Sequence, residues 1–117
     1  MAQILIADDD AATRDLLRRA LEAEGHTVKT ASDGSEALEQ VGTAGLALLI
    51  TDVQMPGMDG IELAKAALAK APGLRIILMS GFTDQLGRAG GLSGNVRTLS
   101  KPFTLDKARA EVKAALG

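Results

Sequence analysis

The sequence predicts an α/β domain with a single, doubly wound five-stranded parallel sheet. Two observations lead to this prediction. First, short apolar runs alternate with longer amphipathic segments along the chain, which is the pattern of repeated strand–helix units. Second, five such units follow one another, and alternation of this kind implies a parallel sheet with helices on both faces.

Length and composition fit one domain that spans residues 1–117. Of these residues 46% are hydrophobic, and the only aromatic ones are Phe82 and Phe103, so the core is expected to be aliphatic. The net charge of −2, with acids and bases mixed, argues against a nucleic-acid partner. The chain has no cysteine, no signal-peptide pattern and no apolar run long enough to span a membrane. We therefore expect a cytoplasmic protein without a membrane partner. We also expect a monomer.

The first strand–helix unit is the clearest one. An apolar run at 3–7 leads through three aspartates into a helix at 11–24, which Gly25 ends. Asp10 is expected either to cap this helix, because a carboxylate there accepts backbone N–H groups of the first turn, or to be solvated, and it is not assigned to the site. Apolar residues at helical spacing are expected to form the buried face of the helix: Leu16, Leu17, Ala20 and Leu21.

The second unit is shorter and less apolar than the first. Residues 26–30 form the predicted strand, and a helix follows to about residue 41. Ser32 and Asp33 can both cap this helix, because their short side chains accept a hydrogen bond from its first turn. His26, the only histidine, is expected on the side of the sheet far from the acids and is given no chemical role.

The third unit contains the most apolar strand, residues 46–51, which runs directly into Asp52. One proline and two glycines follow within the next eight residues. Proline fixes the backbone φ angle, and glycine allows a positive φ. The loop is therefore expected to hold one shape. Asp59 is the expected cap of the next helix, at 60–71.

The last two units differ in how clearly they are marked. A strand at 74–79 is evident, but residues 83–94 contain four glycines. Glycine costs about 1 kcal/mol in a helix interior, so we expect a short or mobile fourth helix there. A fifth strand at 96–99 and a last helix at 105–116, capped by Thr104, complete the domain.

Polar residues that follow the strands are predicted to meet at one edge of the sheet, because the carboxyl ends of parallel strands lie side by side. Asp8 and Asp9 follow the first strand, Asp52 the third, Ser80 the fourth and Lys101 the fifth. Clustered carboxylates repel each other unless a cation lies between them, and Mg²⁺ prefers oxygen ligands. A nearby lysine favours a second anion, so the set suits phosphoryl transfer to an aspartate.

Four motifs in this order resemble the receiver domains of bacterial two-component response regulators: IADDD, LLITDVQMPGMDG, IILMSG and LSKPF. The resemblance covers the whole chain and implies the (βα)5 flavodoxin-like receiver fold, of the single-domain type without an output domain. Within the family, SKPF and the glycine-rich fourth segment most resemble CpdR-like regulators of cell-cycle proteolysis.

The resemblance also implies partners. A histidine kinase or a histidine phosphotransfer protein would donate the phosphoryl group. A downstream protein would bind the face that is formed by the fourth helix, the fifth strand and the last helix. The chain would catalyse only its own phosphorylation and dephosphorylation, so it would not be an enzyme in the ordinary sense.

Site roles follow from the same resemblance. Asp52 matches the phosphoacceptor of the family. Asp8 and Asp9 match the acidic pair that binds Mg²⁺, Asp9 directly and Asp8 through water. The backbone carbonyl of Gln54 matches a further metal ligand, and its side chain would face the mouth of the pocket.

The switch residues match the family only in part. Ser80 matches the hydroxyl residue and Lys101 the lysine that contact the phosphoryl group. Thr98 stands where many receivers carry an aromatic residue whose ring turns inward on activation, and threonine cannot give that signal. Phe82 replaces a more usual small or polar residue; it either shields the phosphoryl group, contacts a partner, or is a partly buried loop residue.

Two other functions stay open from the sequence. Asp8, Asp10 and Ala12 nearly match the Asp-x-Asp-x-Thr/Val motif of Mg²⁺-dependent phosphohydrolases, but the last residue differs and 117 residues leave no room for a substrate cap domain. A binding module that keeps the fold but does not need phosphate is the second alternative. Every expected site residue is present, so nothing in the sequence favours it.

Overall fold

A computed structural model describes residues 2–43, 45–81 and 95–117. The strands are β1 (Gln3–Ala7), β2 (Thr27–Ala31), β3 (Leu46–Asp52), β4 (Arg75–Ser80) and β5 (Val96–Ser100), and the helices are α1 (Ala11–Ala23), α2 (Gly34–Gln40), α3 (Gly60–Lys70) and α4 (Leu105–Leu116). The predicted bounds match these closely. The predicted fourth helix at 83–94 lies outside the described residues. None of the helices in the described ranges is long and apolar enough to cross a bilayer.

The strands form one parallel sheet in the order β2–β1–β3–β4–β5. The direction of winding reverses between β1 and β3, because the chain goes outward from β1 to β2 and then returns to β3 on the other side. In open α/β sheets, ligands bind outside the carboxyl ends of the strands at such a reversal. The predicted fold class, a five-stranded parallel sheet in an α/β domain, is confirmed.

Two aliphatic clusters cover the two faces of the sheet. Alternate residues of a strand point to opposite faces, so Leu5 packs under α2 and α3, whereas Ile4 and Ile6 pack under α1 and α4. Among the described residues, the largest fully buried side chains are leucines and isoleucines, in line with the aliphatic core that the composition predicts. The rigid sheet that results holds the strand ends in fixed positions.

The prediction for the buried face of α1 was wrong at one position. Leu17, Ala20 and Leu21 are buried, but Leu16 is 52% exposed. Successive residues of an α-helix are rotated by about 100°. Leu16 therefore lies well to one side of the face that is centred on Leu17, and its side chain reaches solvent.

Close backbone approach fixes the loop between β3 and α3. The N–H of Gly60 donates to the carbonyl of Val53 at 2.9 Å, and a Cβ atom on Gly60 would lie 2.2 Å from the carbonyl oxygen of Asp52. Asp59 caps α3, as predicted, and forms a capping box with Glu62. Both ends of the loop are thereby tied to the carboxyl end of β3.

Replacement of Gly60 by alanine is expected to lower the free energy of unfolding by about 1–3 kcal/mol, because the methyl group would displace the backbone at Asp52. Gly73→Ala is the matched control: a Cβ there meets nothing within 4 Å, so stability should stay the same or rise by up to about 1 kcal/mol. Urea unfolding followed by circular dichroism measures both variants. Equal stability of the two variants would contradict the close approach.

Candidate functional site

Three carboxylates from two neighbouring strands meet at the carboxyl edge of the sheet. Asp8 and Asp9 directly follow β1, and Asp52 is the last residue of β3. One carboxylate oxygen of each lies within 4.8 Å of the others. The structure thus brings together the acids that the sequence grouped, at the point where the winding of the sheet reverses.

Asp8 is fully buried, and all of its polar atoms have protein partners. Its Oδ1 accepts the N–H of Asp10 at 2.9 Å, and its Oδ2 lies 3.5 Å from the ammonium of Lys101. Its N–H donates to the carbonyl of Ala31 at 3.2 Å, and its own carbonyl accepts from Arg14 at 2.7 Å. Asp8 is therefore the most firmly held of the three acids, whereas Asp9 is exposed.

Lys101 bridges two of the carboxylates. Its Nζ lies 3.3 Å from Oδ2 of Asp52 and 3.5 Å from Oδ2 of Asp8. The backbone N–H of Lys101 donates to the carbonyl of Ser80 at 2.9 Å, which continues the pairing of β4 and β5 by one residue. The peptide bond to Pro102 is cis. The lysine reaches the acids because its backbone is anchored at the same edge.

Other residues singled out from the sequence occupy different positions. Ser80 ends β4 at the same edge, is 4% exposed and pairs in register with Ser100. Gln54 is exposed in the loop after β3, and Thr98 is exposed on β5. Phe82 lies outside the described residues, so its role stays a prediction.

The pKa values of the buried Asp8 and of the exposed Asp10 are shifted in opposite directions. Burial is the largest cause that raises the pKa of Asp8, and the charge of Asp52 adds to it, against the lowering effects of the Asp10 N–H and of Lys101. The pKa of Asp10 is lowered instead, chiefly by the hydroxyl of Thr13, which donates to it. Asp10 caps α1 through the N–H of Thr13, as predicted, and contributes no ligand to the acidic cluster.

The donor set suits a small, hard cation. Three carboxylates against one ammonium leave a formal charge of −2 at this edge when all four groups are ionised. Oxygen donors without sulfur or imidazole favour Mg²⁺ or Ca²⁺ over softer metals. Asp52, which contacts the lysine and belongs to the acidic cluster, is placed where an anionic group on its carboxylate would find positive charge.

An open groove lies beside Lys101 and was not predicted from the sequence. It has a volume of about 390 Å³ and is lined by Thr13, Leu16, Leu17, Lys101, Pro102 and Phe103. The groove is mostly apolar because Leu16 is exposed and Phe103 is only partly buried. A finer reading of the helical spacing in α1 could have found Leu16 outside the buried face.

Comparisons with known proteins agree on one family. The family model of the response regulator receiver domain matches residues 4–113. The response regulator MprA of Mycobacterium ulcerans is 37% identical over 115 residues, which is 97% of this chain and 50% of that protein. The chain therefore spans half the length of this relative.

Solved structures give the same result. A chemotaxis response regulator, CheY4 of Vibrio cholerae, has a TM-score of 0.90 at 28% identity, with 99% of each chain covered. The response regulator protein TrrA of Thermotoga maritima, solved in complex with Mg(2+)-BeF, has a TM-score of 0.86 at 32% identity, with 99% of this chain and 100% of that chain covered.

The raised pKa of Asp8 gives a signed pH dependence for stability. Below about pH 3.9, the ordinary pKa of aspartate, Asp8 is neutral in both the folded and the unfolded chain. As the pH rises through the higher pKa of the folded state, ionisation of the buried carboxyl removes stability. Asp8→Asn is therefore expected to melt higher than the wild type at neutral pH without metal, and the difference should shrink as the pH falls.

Thermal melts in EDTA between about pH 4 and pH 8 test this. Asp106→Asn is the control, because that carboxylate is 95% exposed and its melt should follow the wild type. A melting temperature of Asp8→Asn at or below that of the wild type at neutral pH would contradict the prediction.

Proposed function

The chain belongs to the family of response regulator receiver domains of two-component systems, and on this premise we propose that Asp52 accepts a phosphoryl group and thereby switches protein partners. The ammonium of Lys101, 3.3 Å from Asp52, is the observation that supports this best. The acceptor carboxylate then has beside it a positive charge for the group that it receives.

The acidic cluster would hold the Mg²⁺ ion that such a transfer requires. Asp9 and Asp52 would contact it directly, together with the backbone carbonyl of Gln54. Asp8 would act through a bound water, because its oxygens already have protein partners. A bound Mg²⁺ would offset the negative charge of the acceptor and of the phosphoryl oxygens.

The transfer forms one bond and breaks another. A carboxylate oxygen of Asp52 attacks the phosphorus of a phosphohistidine and forms an acyl phosphate. The phosphorus–nitrogen bond breaks, and the leaving imidazole keeps the electron pair and takes up a proton. Lys101 and the hydroxyl of Ser80 would contact the phosphoryl oxygens. Attack by water on phosphorus later returns the free carboxylate and inorganic phosphate, and the exposed Gln54 would tune that rate.

The phosphoryl group would act as a switch through its charge. It adds about −1.5 to −2 charges to an edge that is already acidic. Lys101 would turn from Asp8 toward the phosphoryl oxygens, and Ser80 would move with it. We propose that a downstream protein reads this change on the face of β5 and α4.

The single-domain type, the CpdR-like subfamily, the monomeric state and the cytoplasmic location stay predictions.

We propose further that the histidine-bearing donor docks in the groove beside Lys101. Leu16 is the large hydrophobic side chain that is most exposed in the described part of the chain. Pro102 and Phe103 directly follow Lys101 and line the same groove. An apolar partner surface that covers this groove would bring its phosphohistidine to the side of the site where the lysine meets Asp52.

Intact mass spectrometry with Mg²⁺ and a small phosphodonor tests the acceptor. Wild type is expected to gain a single phosphoryl adduct that is stable in acid and labile in base. Asp52→Asn should gain none, because its amide cannot attack phosphorus, whereas Asp10→Asn, in the neighbouring cap, should be phosphorylated like the wild type.

Two other outcomes of this experiment would count against the proposal. An adduct on Asp52→Asn would place the acceptor elsewhere. No adduct on any variant, even with candidate kinases, would favour the binding module that does not need phosphate. Steady release of phosphate from phosphate esters by the protein alone would favour the phosphohydrolase.

The docking groove makes a separate prediction. Leu16→Ala is expected to weaken the complex with a phosphorylated donor protein by about tenfold, since burial of a leucine side chain contributes about 1.5–3 kcal/mol. Phosphorylation of the same variant by a small phosphodonor should be unchanged and serves as the internal control. If Leu16→Ala weakened phosphorylation by the small phosphodonor as much as it weakened the reaction with the donor protein, Leu16 would support the site rather than the docking surface.

A further inference from the structure

Arg14 reaches back from α1 to the loop that carries the acidic pair. Its Nη1 donates to the backbone carbonyl of Asp8 at 2.7 Å, and the side chain is partly buried. Its backbone N–H donates to the carbonyl of Asp10 at 3.1 Å as part of the first turn of the helix. The guanidinium thus ties the start of α1 to the end of β1.

The carbonyl that Arg14 holds belongs to the peptide unit between Asp8 and Asp9. A peptide unit is planar, so a fixed C=O direction also fixes the N–H of Asp9. The direction in which the side chain of Asp9 leaves the backbone is constrained with it. The bond therefore acts on the second acid as well as on the first.

Asp9 is the acid for which such a constraint matters most. Its carboxylate is exposed, and no hydrogen bond or ion pair with another described residue holds it. The Asp8 side chain, by contrast, is held by Asp10 and Lys101. The position of the Asp9 carboxylate within 4.8 Å of the other two depends on the backbone that carries it.

We propose that Arg14 is a positioning residue for the cation site: it holds the Asp8–Asp9 peptide in the orientation that brings the Asp9 carboxylate to those of Asp8 and Asp52. This inference rests on the proposed function, since it assumes that the cluster binds Mg²⁺.

Positioning and simple electrostatics predict opposite effects. Arg14 carries a positive charge close to an acidic site, and that charge alone repels a divalent cation. If the charge were all that mattered, its removal would strengthen Mg²⁺ binding. If Arg14 positions Asp9, its removal should weaken Mg²⁺ binding. The direction of the change in affinity distinguishes the two roles.

Calorimetric titration with Mg²⁺ tests the inference on wild type, Arg14→Gln, Arg14→Lys and Arg19→Gln. We expect Arg14→Gln to raise the Kd for Mg²⁺ by about tenfold, because the amide of glutamine is too short to reach the carbonyl as the guanidinium does. Arg14→Lys should restore part of the loss, because the longer side chain of lysine can still donate to the carbonyl. Arg19→Gln removes the same charge from the same helix, but Arg19 is 74% exposed and pairs with Asp15, so its Kd should stay within about twofold.

A second readout separates positioning from general damage to the fold. Phosphorylation by a small phosphodonor, measured over a range of Mg²⁺ concentrations, should need more Mg²⁺ for half-saturation in Arg14→Gln. The rate at saturating Mg²⁺ should match the wild type. A lower rate at saturation with an unchanged Mg²⁺ requirement would overturn the inference. Where Arg14→Gln does not fold in a melting experiment, Arg14→Lys decides, with a smaller increase expected in the same direction.

The outcomes distinguish this inference from the function on which it rests. A wild type that binds no Mg²⁺ would overturn the proposed metal site itself. A wild type that binds Mg²⁺, together with an Arg14→Gln variant that binds it equally or more tightly, would overturn the role of Arg14 and leave the site intact.

Discussion

The mutual repulsion of the carboxylates at one edge of the sheet is the constraint on which the rest of the site depends. Asp52 ends β3 and Asp8 directly follows the neighbouring β1, so the buried sheet beneath them holds both backbones side by side. Lys101 offsets part of the repulsion with one ammonium that contacts both. A divalent cation can neutralise the remaining negative charge. The fold thus creates at this edge an excess of negative charge, and the proposed cation binding depends on that excess.

Elements around the edge keep the acids in place against this repulsion. Gly60 lets the start of α3 approach the backbone of Asp52 more closely than any side chain would allow. Asp10 starts α1 immediately after the acidic pair, and its N–H also binds Asp8. The same residues therefore terminate strands, cap helices and shape the site. The local sequence around each acid is therefore typical both of a strand or helix end and of a functional site.

The sequence could predict the parallel sheet, its helices and the set of polar residues at its edge. Hydrophobic periodicity and the residues that follow each strand are local properties of the sequence. It could not predict the distances, since these depend on β1 lying next to β3. Nor could it predict that every polar atom of Asp8 is already engaged, because the partners come from distant segments such as Lys101 and Ala31. Leu16 was misplaced because one residue of rotation on a helix separates core from solvent.

Thr98 changes how a phosphoryl signal could leave the site. Without an aromatic ring at that position, the proposed coupling would use groups that the structure links directly. The backbone of Lys101 is hydrogen-bonded to that of Ser80, so the ends of β4 and β5 are joined at the point where both side chains would meet a phosphoryl group. A pull on either side chain then acts on both strand ends. In the proposed switch, the shared backbone pairing would therefore transmit the change to the face of β5 and α4 without a rotating ring at position 98.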